Sequence, residues 1–183
     1  MSYLPSLPSD AVLLTVFRTY PTPAVPLLEY HEALLRSPSL LTIAQRELIA
    51  AYVSGLNACD YCYGIHTVTA EAFGLPEGTL TALIEDVDTA PIDEPLRPLL
   101  RYVAKLTRTP AKVTSADVAA VLDAGWDESA VHDAASVCGL FNLMNRLVDG
   151  LGLTADPGYR ELAAHRLADH GYAHLKSLLG GTR

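Results

Sequence analysis

Residues 42–74 have the sequence TIAQRELIAAYVSGLNACDYCYGIHTVTAEAFG. Thr42 and Gln45 form the pattern of a capping box, which satisfies free N–H groups at the start of a helix. Apolar residues then recur three and four positions apart up to about Asn57, as they do on one face of an α-helix. This stretch is therefore predicted to begin with an amphipathic helix.

The second half of the stretch predicts another helix. It begins at Cys59 or Asp60 and ends near Phe73, because Gly74 can adopt the left-handed conformation that caps many helices. Only a short turn near Asn57 separates it from the first helix. The two helices are therefore predicted to pack as a hairpin.

The rest of the chain repeats the helical spacing, with almost none of the polar and apolar alternation found in half-buried strands. Further helices are predicted over residues 75–84, 96–107, 114–125, 128–151 and 156–179, and two more in the first 40 residues, split by Pro21, Pro23 and Pro26. We therefore predict an all-α fold, a compact helical bundle. It should form a single domain over residues 1–183, with a core at about 25–155 and a C-terminal helix at 156–179.

One segment of the chain is echoed 84 residues later. Ala50–Leu56 has the sequence AAYVSGL, and Ala134–Leu140 has the sequence AASVCGL. Such a match can arise by chance between two alanine-rich helices, so an internal two-fold repeat and a coincidence both stay open. In a repeat, the second copy lacks the thiol pair, because the positions equivalent to Cys59 and Cys62 hold no cysteine.

Composition limits the function to a few classes. The chain has 183 residues, 50% of them hydrophobic, and a formal net charge of -8, so it can bury a core and is unsuited to binding nucleic acid. No uninterrupted apolar stretch reaches the roughly 18 residues of a membrane span, and the first residues lack a signal-like pattern. Three cysteines are too few for a secreted disulfide scaffold. We expect a cytoplasmic protein with no nucleic-acid or membrane partner.

The most specific pattern in the chain combines two cysteines, a histidine and a glutamate. Cys59 and Cys62 form a Cys-x-x-Cys pair, His66 follows about one turn later, and Glu47 precedes the pair on the first helix. Residues three and four apart share a helix face, so the two thiols and the imidazole should lie along one side. If the helices pack as a hairpin, the Glu47 carboxylate can reach and orient the imidazole. The pattern is typical of thiol redox chemistry or of metal ligation.

Two features can activate these cysteines. A helix N-terminus and a neighbouring imidazole each lower the pKa of a thiol, from about 8.5 into the range of about 3.5 to 7.5. Cys59 lies closer to the helix start, whereas Cys62 lies four residues before His66, so the two features favour different nucleophiles. For Cys62 we expect a pKa well below the free-thiol value, and a higher one in His66→Ala.

Glu47, Cys59, Cys62 and His66, in this order and spacing, resemble the AhpD-like alkylhydroperoxidases of the carboxymuconolactone decarboxylase superfamily. The similarity is closest to the branch called peroxidase-related proteins, and it covers about residues 25–155. It implies an all-α fold and a homo-oligomer, either a trimer, a dimer or a hexamer. It also implies an oxidoreductase whose paired cysteines reduce organic hydroperoxides.

The resemblance implies a role for each residue of the pattern. Cys62 is expected to be the peroxidatic thiol, Cys59 the resolving thiol, and His66 with Glu47 the proton relay. The pair would cycle through a disulfide that an external dithiol, such as a lipoylated protein, reduces, with no bound cofactor or metal ion. The chain differs from the best-known members at Tyr61, where they carry a second histidine. A phenol with a pKa near 10 is a poor proton carrier at neutral pH.

Other interpretations of the same residues stay open. A thiol–disulfide oxidoreductase or redox sensor would form the disulfide without turning over peroxide, and a decarboxylase-like enzyme on this scaffold would not need the thiols. Cys59 and Cys62 could form half of a zinc site completed by His66 and Glu47. They could also pack as small hydrophobic residues. Glu47 could be a solvated residue on a helix surface.

The sequence also predicts the positions or contacts of several residues outside this pattern. Cys138 lies in an apolar stretch and is predicted to be a core residue. His31 is predicted to lie on the surface. Asn142, Asn145 and Arg146 can reach the thiols, although Arg146 can equally form a structural ion pair.

Overall fold

The computed structural model describes residues 2–180, which form α-helices and no β-strand. The helices in this range are α1 (Leu13–Thr19), α2 (Pro21–Arg36), α3 (Ile43–Leu56), α4 (Asp60–Ala72), α5 (Thr79–Glu85), α6 (Leu96–Arg108), α7 (Ser115–Asp123), α8 (Glu128–Gly150), α9 (Pro157–His170) and α10 (Ala173–Ser177). A short 3-10 helix, Pro110–Lys112, lies between α6 and α7. The predicted all-α fold is confirmed. None of these helices combines the length and the apolar character needed to cross a membrane.

Helix α3 lies at the centre of the bundle, where it packs against α4, α8, α6 and α5. The predicted capping box forms at its start: the Gln45 N–H donates to Thr42 Oγ1 at 3.2 Å, and the Thr42 N–H donates to Gln45 Oε1 at 2.9 Å. Residues 46–54 of the helix are all buried. A polar side chain in this segment, such as that of Glu47, therefore needs protein partners, because burying it without hydrogen bonds is costly.

A tight turn joins α3 to α4 and determines where the cysteines lie. Ala58 has a φ of 56°, a left-handed conformation that costs roughly 1 to 2 kcal/mol for a residue with a side chain. The Asn57 amide holds the turn against α8 by donating to Asn145 Oδ1 at 2.9 Å. As a result, Cys59 becomes the N-cap residue of α4, and Cys62 lies in the first turn of that helix.

The first two helices differ slightly from the prediction. Two helices form, but the break falls at Tyr20, and the proline cluster belongs to α2 rather than separating two helices. Pro21 and Pro23 lie in the first turn of α2, where backbone N–H groups have no partner within the helix. Only Pro26 lies deeper in the helix.

The C-terminal region differs more. One helix is predicted over 156–179, but the structure divides it into α9 and α10 at Gly171, which has a φ of 67°. Glu32 on α2 stabilises the break, because its carboxylate accepts hydrogen bonds from the N–H groups of Tyr172 and Ala173 at 2.7 and 2.9 Å. The Tyr172 side chain consequently turns into the bundle and is only 3% exposed.

The two echoed segments lie on α3 and α8, which pack against each other. Their local structures differ, since α3 ends at Leu56 and leads into the cysteine turn, whereas α8 continues without a break to Gly150. An internal repeat stays a prediction.

Candidate active site

The site is organised around Glu47, which is completely buried in α3. Its Oε2 accepts a hydrogen bond from His66 Nδ1 on α4 at 2.7 Å. Its Oε1 accepts from Arg36 Nη1 on α2 at 2.7 Å and from the Tyr172 hydroxyl, just before α10, at 2.9 Å. Four separate parts of the chain therefore meet at one carboxylate. Glu47 is not a solvated surface residue.

These partners keep Glu47 ionised. Burial alone would raise the pKa of its carboxyl group, but the hydrogen bond and charge of His66, together with Arg36, outweigh burial and lower that pKa. Burial and the Glu47 charge raise the pKa of Tyr172 well above its usual value, so the phenol stays protonated and donates. The Arg36 guanidinium also stacks over the Tyr172 ring, 4.8 Å from its centroid.

Glu47 also determines the tautomer of His66. A carboxylate only accepts hydrogen bonds, so the proton of the neutral imidazole is on Nδ1 and the lone pair is on Nε2. Nε2 has no hydrogen-bond partner within residues 2–180, and His66 lines a cavity. His66 therefore offers a basic nitrogen to that cavity.

The cavity has a volume of about 80 Å³ and lies between α1, α2, α4, α8, α9 and α10. Its walls are mostly apolar and include Leu13, Phe17, Leu28, Ile65, Phe141 and Met144. Cys62 and His66 line it, whereas Cys59 does not. A small molecule in the cavity can therefore contact one sulfur and one imidazole.

The two thiols are reduced and deeply buried, with Cys59 0% and Cys62 3% exposed. The pKa of Cys62 is raised well above its usual value, mainly by the neighbouring Cys59 thiol and next by burial. A hydrogen bond from the Asn145 amide only partly offsets this increase. In the described part of the chain, no hydrogen bond joins His66 to Cys62. The predicted low pKa of Cys62 is therefore wrong, because packing encloses the thiol beside the Cys59 sulfur.

Comparison with known proteins shows what this chain is similar to in sequence and in fold. A model of the carboxymuconolactone decarboxylase family matches residues 26–92, a segment that contains α3, α4 and α5. The crystal structure of an uncharacterized peroxidase-related protein from Silicibacter sp. TM1040 is similar with a TM-score of 0.75. The two sequences are 26% identical, and the match covers 81% of this chain and 78% of that chain. The chain is therefore similar to the carboxymuconolactone decarboxylase family over the segment that contains α3 and α4, and to a peroxidase-related protein in its fold.

A second crystal structure has a similar fold. It is that of an alkylhydroperoxidase AhpD core, an uncharacterized peroxidase-related protein from Ralstonia eutropha JMP134, with a TM-score of 0.75. Its sequence is 23% identical, with 82% of this chain and 78% of that chain covered, so this similarity concerns the fold alone. No curated protein matched the sequence. The predicted AhpD-like bundle is confirmed.

Tyr61, which lies between the two cysteines, has structural partners. Its hydroxyl accepts a hydrogen bond from the Leu13 N–H of α1 at 3.0 Å and lies 3.5 Å from the Tyr159 hydroxyl of α9. Burial raises the pKa of Tyr61 far above its usual value, so the phenol does not exchange protons at neutral pH. These contacts hold α1 beside the cavity, which Leu13 and Phe17 of that helix line.

Three residues of the site were not predicted from the sequence. The prediction that His31 lies on the surface is wrong: it is 4% exposed and lines the cavity. The sequence spacing could have predicted that His31 is buried. His31 lies three residues after Leu28 and four before Leu35, and so shares their buried helix face. Arg36 and Tyr172 gave no comparable signal, since only the tertiary fold brings them to Glu47.

The residues on α8 fall into two groups. Asn145 reaches the thiol region, where its Nδ2 donates to Ser54 Oγ at 3.0 Å and its amide hydrogen-bonds to Cys62. Arg146 is exposed and donates to the Asn142 carbonyl at 2.7 Å, away from the cavity. Cys138 is 1% exposed and lies in the core, as predicted.

The zinc alternative is not supported by the arrangement of possible ligands. Within residues 2–180, no group of three or more His, Cys, Asp or Glu side chains is arranged to hold a metal ion. Both oxygens of Glu47 are already occupied by Arg36, Tyr172 and His66.

Proposed function

We propose that this protein is a thiol-dependent peroxidase that reduces organic hydroperoxides through Cys62 and Cys59 and is recycled by an external dithiol. The main support is the shared cavity, in which the Cys62 sulfur and the imidazole of His66 line one apolar space of about 80 Å³. The match to the carboxymuconolactone decarboxylase family model over residues 26–92 and the similarity to a peroxidase-related protein agree with this proposal.

The first step is deprotonation of Cys62. Because its pKa is raised, the resting protein holds a thiol, and the proton has to move to a base as the reaction proceeds. His66 Nε2 is that base, and the Glu47 carboxylate stabilises the imidazolium that forms. With no direct hydrogen bond between thiol and imidazole, the proton passes through one water molecule in the cavity.

The second step is attack on the peroxide. The Cys62 thiolate attacks the distal oxygen, the O–O bond breaks, and Cys62 becomes a sulfenic acid. The alkoxide takes the proton of the His66 imidazolium and leaves as an alcohol. Sulfur loses two electrons and the peroxide gains them, so no other oxidant or reductant is needed in this step.

Cys59 then completes the cycle. Its thiol condenses with the Cys62 sulfenic acid to form a disulfide and release water. Two successive thiol–disulfide exchanges transfer the disulfide to an external dithiol and regenerate both protein thiols. Because both sulfurs are buried, we expect a dithiol on a slender arm, such as a lipoyl group, rather than a cysteine pair on a folded protein surface.

The apolar walls favour alkyl or aryl hydroperoxides over charged ones. The same walls disfavour the alternative of a general thiol–disulfide oxidoreductase. A protein disulfide would have to approach Cys62, which is only 3% exposed and lines a small cavity. A hydroperoxide group on a small hydrocarbon meets no such obstacle.

Turnover of cumene hydroperoxide with dihydrolipoamide tests the proposal. We expect one cumyl alcohol per dithiol oxidised, a Cys59–Cys62 disulfide in the peptide map after one equivalent of peroxide, and a loss of roughly a thousand-fold or more in Cys62→Ser. Cys138→Ser is the matched control, since it changes a buried thiol outside the site and should leave turnover unchanged. A disulfide that forms without turnover would indicate a redox sensor, and turnover that persists in Cys62→Ser would refute the mechanism.

A further inference from the structure

We propose that His31 binds the terminal O–H of the hydroperoxide and thereby directs the distal oxygen at Cys62. This inference rests on the proposed peroxidase function and adds a substrate-binding residue to it. His31 belongs to α2, outside the Cys-x-x-Cys pattern, yet it lines the same cavity as Cys62 and His66.

The hydrogen bonds of His31 make it an acceptor. Its Nδ1 lies 2.8 Å from the Leu27 carbonyl oxygen, which only accepts, so Nδ1 carries the proton and Nε2 carries the lone pair. Nε2 has no hydrogen-bond partner in the described range, residues 2–180. Burial lowers the pKa of His31 to about 4, so the ring is neutral at neutral pH and the lone pair is free to accept.

The two histidines that line the cavity differ in the group that accepts the hydrogen bond from Nδ1. Both rings pack against the same aromatic pair: His31 lies 5.2 Å from Tyr172 and 6.1 Å from Phe141 between ring centroids, and His66 lies 6.5 and 4.5 Å from them. Only His66 has a carboxylate, that of Glu47, to stabilise a positive charge. His66 is therefore suited to take up a proton, and His31 to accept a hydrogen bond without protonation.

An acceptor at this position resolves which peroxide oxygen reacts. In a hydroperoxide only the distal oxygen carries a hydrogen, so a hydrogen bond to His31 Nε2 presents that oxygen to the Cys62 sulfur. When the S–O bond forms and the O–O bond breaks, the hydrogen stays on the transferred oxygen, and the sulfenic acid can keep the hydrogen bond. The alkoxide takes its proton from His66, so His31 neither gains nor loses one.

The substrate class follows from this geometry. The ligand needs a free O–H group at one end and a small hydrocarbon group at the other, which contacts Leu13, Phe17 and Met144. Monosubstituted hydroperoxides meet both conditions.

Two variants and two reagents test the inference. His31→Phe keeps an aromatic ring and removes the acceptor, whereas His31→Gln supplies an amide oxygen that can accept. Reduced protein is mixed with cumene hydroperoxide in a stopped-flow instrument, and separately with methyl methanethiosulfonate, a thiol reagent without a hydrogen-bond donor. We expect His31→Phe to slow the peroxide reaction about tenfold, the value of one hydrogen bond, to leave the methanethiosulfonate reaction unchanged, and His31→Gln to recover part of the loss.

Circular dichroism verifies that each variant is folded, and His31→Leu replaces His31→Phe if the larger ring does not pack. Equal peroxide rates in the wild type and a folded acceptor-free variant would overturn the inference. So would an equal slowing of both reactions, which would show that His31 acts on the thiol or on the packing. If the wild type itself does not react with the hydroperoxide, the proposed function fails, and this inference fails with it.

Discussion

The molecule contains two thiol environments, at the start of α4 and in the middle of α8, that are equally buried and otherwise different. The pKa of Cys62 is raised, mainly by Cys59, and that of Cys138 is raised by burial. Cys138 is enclosed by the Thr107 hydroxyl at 3.2 Å and the Asn142 amide at 3.4 Å. Cys62 lines a cavity that also contains an imidazole. The two thiols are therefore alike in burial and in the direction of their pKa shifts. They differ because only Cys62 lines this cavity and has an imidazole nearby.

The base depends on contacts from more separate parts of the chain than the surroundings of Cys138 do. His66 is oriented by Glu47, and Glu47 is held by Arg36 and Tyr172, from two further parts of the chain. The partners of Cys138 lie on its own helix or on α6.

The largest effect is expected when the Glu47 carboxylate is removed as an amide. In Glu47→Gln, the side-chain NH₂ can donate to His66 Nδ1, which favours the tautomer with the proton on Nε2 and removes the base from the cavity. We expect peroxidase turnover to fall by roughly a hundred-fold. His66→Ala should lose about as much, and the double variant no more than either, because both changes remove one function. Additive losses would show that the two residues act independently.

A smaller effect concerns stability, because the cavity region contains a buried titratable ring and the surroundings of Cys138 do not. The pKa of His31 is lowered to about 4, below its unfolded value of about 6.5, so the unfolded chain binds more protons between these values and stability falls as pH falls through this window. From pH 7 to pH 5 this corresponds to a loss of about 2 kcal/mol in the free energy of unfolding.

Urea denaturation at the two pH values measures this loss. His31→Phe should reduce the difference, whereas Cys138→Ser should keep it. A wild-type protein that is equally stable at both pH values would contradict the buried, neutral state of His31.

The smallest effect concerns the resting reactivity of Cys62. Because Cys59 and burial raise the pKa of Cys62, its thiolate fraction near neutral pH should be lower than that of a free thiol. Each pKa unit of elevation lowers that fraction about tenfold. The rate of iodoacetamide modification, followed by mass spectrometry of the Cys62 peptide, should continue to rise above the free-thiol pKa. A plateau below that value would restore the low pKa that the sequence pattern predicts.

Local pattern was enough to predict the hairpin. The capping box at Thr42 and the glycine at Gly74 mark helix ends, and the spacing of Cys59, Cys62 and His66 depends only on helix geometry. The all-α fold followed from the same helical spacing along the rest of the chain.

Features that depend on tertiary packing were not accessible in this way. Tyr172 reaches Glu47 only because Gly171 interrupts a helix that periodicity extends to residue 179, and Glu32 on a distant helix stabilises the break. The direction of the Cys62 pKa failed for a related reason. A helix start and an imidazole can be recognised in a sequence, but enclosure by neighbouring helices cannot.

The hydrogen bond between Tyr172 and Glu47 spans 125 residues of chain. During synthesis on the ribosome, both cysteines and their base emerge long before the phenol that completes the carboxylate's environment. In the nascent hairpin, the Glu47 carboxylate therefore lacks the hydrogen bond from Tyr172. The site is complete only once α2 and the segment after Gly171 have come together, so the proposed peroxide chemistry requires the complete fold.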